Sequence, residues 1–119
     1  MSARVTVHQE LKAGLPGYRV YPYAVAPDGV EGVAVSVERA TVARGATLGL
    51  WSEEINIYLL TSLESPERAE DDLDSALEAV LALIEKNTML VFTRAERSSI
   101  ENHHGYIITV TVQTQIQEN

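Results

Sequence analysis

Residues 65–86 read SPERAEDDLDSALEAVLALIEK. Serine followed by proline is a strong helix start. The hydroxyl can accept from free N–H groups, and proline at the first helical position lacks a donor that would go unpaired there anyway. Acidic residues crowd the first turns, where the helix dipole favours negative charge. Ala69, Leu73, Leu77, Val80, Leu81 and Ile84 recur at helical spacing and form one apolar stripe. The spacing predicts a helix from Ser65-Pro66 to about Lys86, with Asn87 as its stop. A helix with one apolar stripe needs a surface to lie on, and the flanking sequence offers strands.

Downstream, Met89 to Glu96 reads as a strand and Ser98 to Gly105 as a polar, turn-rich loop. Tyr106 to Ile116 alternates most cleanly. Tyr106, Ile108, Val110, Val112 and Ile116 fall on one side, and Thr109, Thr111, Gln113 and Gln115 on the other. One face would pack on the helix, and the other would meet water or a partner. Upstream, Val33 to Val42 alternates, Arg44-Gly45 reverses the chain, and Leu48 to Leu60 follows as a long strand, which makes a hairpin. Glu53 and Glu54 sit in otherwise apolar sequence and suggest a bulge or bend there. Trp51 lies on or beside the hairpin turn. Such a tryptophan is more often core than contact, although a hairpin end is also a common place for an exposed anchor.

At the start, Ser2 is placed to cap a helix running to about Ala13, ended by Gly14 and Pro16. Arg19 to Tyr23 favours β structure, but Pro22 cannot donate to a ladder, so this arm is an edge strand or an extended strap. Ala26-Pro27-Asp28-Gly29 is a turn. The order is helix, arm, hairpin, long helix, two strands. The expected fold is α+β: a mostly antiparallel or mixed β-sheet with a long β-hairpin, packed on one face by the long helix and the short N-terminal helix. Residues 1–119 are expected to form one domain.

Composition narrows the function. The net charge of −8 and pI of about 4.7 argue against affinity built on phosphate contacts. The chain has no cysteine, which excludes disulfides, thiolate metal sites and cysteine nucleophiles. The N-terminal apolar residues are too interrupted for a signal peptide, and the longest apolar run, Ala79 to Ile84, is too short to span a bilayer. A cytosolic, soluble protein without membrane contact is expected.

The search for chemistry comes up nearly empty. His103 and His104 are adjacent, so in extended chain they point to opposite sides and do not chelate by spacing alone. A solvated loop is the plainer reading. Glu64, Glu67, Glu70, Asp71, Asp72, Asp74 and Glu78 could in principle hold a cation, but acids are expected at a helix start, and DDLD lacks the glycine and terminal glutamate of an EF-hand loop. Ser62, Ser98 and Ser99 have no nucleophile-elbow context, and no phosphate-binding glycine motif occurs. No catalytic residue, metal site or cofactor is expected. What remains is a sheet, an arm and a long hairpin, which suit subunit contact.

The layout resembles the tail terminator, or tail-completion, proteins of long-tailed bacteriophages, particularly those of actinobacterial siphophages. The resemblance rests on Leu15-Pro16 followed by Arg19-Val20-Tyr21-Pro22-Tyr23, on Pro27-Asp28-Gly29-Val30, and on Val33-Ala34-Val35. It continues through Trp51 leading into Ile55-Asn56-Ile57-Tyr58-Leu59-Leu60, the helix Glu67–Glu85, and Thr109-Val110-Thr111-Val112. It covers nearly the whole chain, through fold patterns and not a chemical signature. The sequence departs from it at Gly29-Val30-Glu31-Gly32, where relatives tend to carry prolines.

The resemblance implies a structural virion protein at the head-proximal end of the tail, assembled in the host cytoplasm. It implies a homo-oligomer, a hexameric ring, that caps the tail tube, stops its polymerisation and joins it to the head–tail connector. Genomic DNA would pass through the lumen without specific binding, and an acidic ring would let it slide. Tyr18, Tyr21 and Tyr23 on the arm are candidate interface residues, with Pro22 keeping the arm from templating sheet growth. Trp51, Arg44, His103 and His104 are further candidates. Two other readings are a head–tail connector or neck protein and, from a different class, a small α+β ligand-binding dimer that would use the polar sheet face.

Overall fold

The computed structural model describes residues 3–22, 33–45, 49–61, 66–100 and 103–115. Seven elements follow in chain order: α1 (Ala3–Gly14), β1 (Arg19–Tyr21), β2 (Val33–Arg44), β3 (Leu50–Thr61), α2 (Pro66–Lys86), β4 (Val91–Ile100) and β5 (His103–Gln115). The strands form one sheet in the order β1-β2-β3-β5-β4. β1 pairs with β2 in parallel, and the other pairs are antiparallel. The α+β class, the mostly antiparallel sheet and the long hairpin are as the sequence predicts.

α2 begins at Pro66 and ends at Lys86. Its buried positions are Leu73, Ala76, Val80 and Ile84, one residue per turn, and Leu77 and Leu81 pack at the margins of this stripe. Ala76 is the member that hydrophobicity alone passed over. Asn87 ends the helix as expected: its Oδ1 accepts from the Met89 N–H at 3.0 Å, turning the chain away from the helical path. α1 buries Ala3, Val7 and Leu11, each four residues apart. Ser2 and Ser65, the expected caps, lie outside the described residues.

The two helices and one sheet face share a continuous core. Val33, Val35 and Val37 of β2 join Ile55, Ile57 and Leu59 of β3 and Ile108, Val110 and Val112 of β5 beneath them. β3 is the central strand; β5, whose alternation gives a fully apolar row, is interior beside it, and β4, which carries Arg94, Glu96 and Arg97, takes the edge, where charge is tolerated.

Two local expectations are corrected. Within the stretch expected to be a loop, 98–100 and 103–105 are strand. β4 runs to Ile100 and β5 starts at His103, with Ser98 opposite Gly105, Ser99 opposite His104 and Ile100 opposite His103. A short polar stretch looks like a loop in sequence, yet the backbone ladder continues through its described residues. The bulge is not on β3 at Glu53-Glu54. It lies on β2, between Arg39 and Thr41, which oppose Ile55 and Glu54.

Candidate assembly surfaces

Directly opposed residues in antiparallel strands share a face. The register therefore sorts the whole sheet. The helix-side face carries the rows Val37-Ile57-Ile108-Ala95, Arg39-Ile55-Val110-Phe92 and Val42-Glu53-Val112. The other face carries Ser36-Tyr58-Ile107-Glu96, Glu38-Asn56-Thr109-Arg94 and Thr41-Glu54-Thr111-Val91. Hydrogen bonds link this second face across the strands. The Tyr58 hydroxyl donates to Glu38 at 3.0 Å, and the Thr109 hydroxyl donates to the Asn56 carbonyl oxygen at 3.0 Å. Thr93 and Thr111 lie 3.2 Å apart. Partial burial, with Glu38 alongside, raises the Tyr58 phenol above its ordinary value.

The hairpin outruns the helices. The molecule measures 50 × 26 × 21 Å, and from Glu38 to Arg44 every residue of β2 is exposed. Arg44 and Trp51 are direct partners in the ladder there. Trp51 is 41% exposed, so it does not belong to the core; no described helix extends over that end to bury it. Val42 on the same face is 48% exposed. Between them Glu53 is buried and accepts a charge-assisted bond from Arg39 at 3.4 Å.

A second exposed apolar group opens β4: Met89, Val91 and Phe92 are 56%, 58% and 43% exposed. A shallow groove of about 420 Å³ runs beside them, lined by Ile84, Asn87, Leu90 and their neighbours. Further along β4, Arg97 forks onto Glu70 of α2, with Nη1 donating to Oε2 at 2.8 Å, and its guanidinium lies over the Tyr106 ring at 5.4 Å. The Arg97 bond holds the Glu70 carboxyl below the usual carboxylate range, and the same pairing raises the arginine. The pair is 27 residues apart in sequence, so no local pattern announced it.

The arm is tied to its own chain. Tyr18 and Val20 pack against the core, and Tyr21 is half-buried on β1 opposite Ser36. The Arg4 guanidinium donates to the Pro22 carbonyl, and a ring nitrogen of His8 lies 3.4 Å from the Val20 carbonyl oxygen. Tyr23 and the turn at Ala26–Gly29 lie outside the described residues. His103 and His104 open β5 at consecutive positions, and His104 is exposed. Among the described residues no three histidine or acidic side chains converge on a metal position, and no helix is long and apolar enough to cross a membrane. Glu64, part of the acidic run, lies outside the described residues.

No family model matches the chain, and no curated protein is similar to it in sequence. A solved structure is similar in fold: a chain in the virion of the native gene transfer agent (GTA) particle. It is 21% identical with a TM-score of 0.64, over 96% of this chain and 95% of that one.

Proposed function

We propose that the chain is a structural protein of a phage-like virion and, within that class, a ring-forming tail terminator with an assembly role and no catalytic one. The observation that carries this is the likeness of fold, nearly end to end, to a chain of the gene transfer agent virion. A likeness over both full lengths is one between whole folded units, not between shared fragments. The projecting half of the hairpin supports the reading. Val42, Arg44 and Trp51 are held out from the core on a rigid ladder, which adds little to folding and offers area to a neighbour. In this reading the chain closes into a hexameric ring on the end of the tail tube, stops its growth and meets the head-side connector, with DNA passing through the lumen.

The test is the absolute mass of the purified chain by light scattering on a sizing column, with negative-stain imaging. It is followed by addition of the chain to polymerising tail-tube protein of the same particle. Rings with a central hole, and tubes shortened and capped by them, are the expected result. Rings that leave tube length unchanged point to a neck or connector protein. A compact dimer without a hole overturns the virion reading in favour of a ligand-binding module on the polar sheet face.

A further inference from the structure

The large apolar side chains exposed among the described residues are Val42, Trp51, Met89, Val91 and Phe92. They fall into two groups. Val42 and Trp51 stand on the helix-side face of the projecting hairpin. Met89, Val91 and Phe92 stand where α2 gives way to β4. Glu53 and Val112, which lie between Val42 and Phe92 on that face, are buried, so there are two patches and not one shelf. Trp51 and Phe92 belong to strands two apart in one sheet, so a chain cannot bring its own hairpin onto its own β4 without breaking the ladders.

The two patches are complementary in polarity and charge. The first projects and carries an indole. Arg39 and Arg44 share its face; Arg39 is engaged by Glu53, whereas Arg44 is exposed and forms no ion pair among the described residues. The second is recessed, a groove of about 420 Å³ lined by apolar Ile84, Leu90 and Phe92 and by polar Glu85, Asn87 and Thr88. Glu85 is the charged residue of that lining and forms no ion pair among the described residues; Lys86, in the same turn, does not line it. The C-terminal end of α2 adds partial negative charge. An indole N–H donates and cannot accept. The groove holds acceptors in the Glu85 carboxylate, the Thr88 hydroxyl and the Asn87 amide oxygen, which keeps a second lone pair beside its bond from Met89. Tryptophan and arginine are among the residues that most often anchor interfaces.

We propose that copies of this chain associate head to tail, the hairpin of one copy laying Trp51 and Val42 on the groove at the start of β4 of the next, with Arg44 paired to Glu85. This rests on the reading of the chain as a self-assembling virion protein and names the contact that reading needs. No strand is added to either sheet edge. β1 lies beside Ala34, Val35 and Ser36 at the far end of β2, clear of the contact. Each copy gives a hairpin and receives one, so the contact is heterologous and the assembly closes when the rotation per copy does.

Two variants separate the two surfaces. W51A removes the anchor and leaves the groove; F92A removes a groove wall and leaves the hairpin. By light scattering, each alone should be monomeric at a concentration where the parent associates. An equimolar mixture of the two should form dimers and stop there, because only the F92A hairpin and the W51A groove remain to pair. Separately, R44E and E85R should each weaken self-association about tenfold, and the combined swap should restore it. All four positions are exposed, so thermal unfolding of each monomer should stay close to the parent's, and the charge swap tests the contact without touching Phe92.

A parent chain that stays monomeric up to about 1 mM overturns the proposal. Association of F92A alone at the parent's strength overturns it in favour of a two-fold contact through Trp51. Rings that persist in W51A overturn the hairpin contact but leave the ring standing. A complementing mixture from a chain whose rings fail to cap tubes supports the contact and removes the tail-terminator reading.

Discussion

The two halves of β2 differ more than most pairs of separate strands. From Val33 to Val37 every residue is buried, on both faces; from Glu38 to Arg44 every residue is exposed, on both faces. The first half lies under the helices, and its back-face residues are small, Ala34 and Ser36, with β1 alongside. The second half has strand-favouring residues in Thr41 and Val42 and a full ladder to β3, but no core beneath it. Strand formation and burial are therefore separate outcomes. The hairpin is longer than the core requires, and the surplus is available to a neighbour.

The same substitution made in each half breaks or confirms this contrast. Val35 is fully buried, and Val35→Ala should cost about 2–3 kcal/mol in urea unfolding. Val42 is half-exposed, and Val42→Ala should fall within about 0.5 kcal/mol of the parent. Equal costs would mean that the distal half is buried in solution, by association.

Gly105 sharpens the point from the β5 side. It faces Leu60 in the ladder, and a Cβ there would collide with the Leu59 carbonyl oxygen and the Leu60 side chain. A backbone oxygen within a three-strand ladder has little room to yield. Gly105→Ala should cost about 1–3 kcal/mol, as overpacked sites do. A neutral result would show that β5 is looser near its start than the ladder implies.

Much of this architecture is local information and was legible as such. The proline at the start of α2, the side chain of Asn87 at its end and the four-residue spacing of Ala3, Val7 and Leu11 each act within a turn or two. The alternation of Ile108, Val110 and Val112 marks β5 as a strand with one buried face. What sequence does not carry is what a strand lies beside. The insertion of β5 between β3 and β4 depends on which ladder buries most, and the exposure of Trp51 depends on where α2 stops. The stretch 98–105 reads as a loop because a polar strand end and a loop share a composition, and only the pairing of Ser99 with His104 separates them. Of the candidate contact residues, Arg44 and Trp51 come together in one ladder pair. Tyr18 packs into its own core, and no sequence pattern distinguishes these fates.

The smallest expected effect lies where α2 meets β4. Glu70 accepts both ends of the Arg97 fork, but the pair stands in water, where screening leaves exposed ion pairs little net worth. Its signature is the pH dependence. The bond from Arg97 keeps the folded-state carboxyl below its usual range, so the folded protein holds that proton less tightly than the unfolded chain does. The stabilisation is complete above the ordinary carboxylate range of about 4.3 and disappears as the pH falls through the lowered folded-state value. Glu70→Gln should therefore unfold at slightly lower urea than the parent at neutral pH, with the gap closing as the pH drops toward 3. A gap that stays constant with pH would mean that Glu70 contributes through packing on Arg97, not through charge.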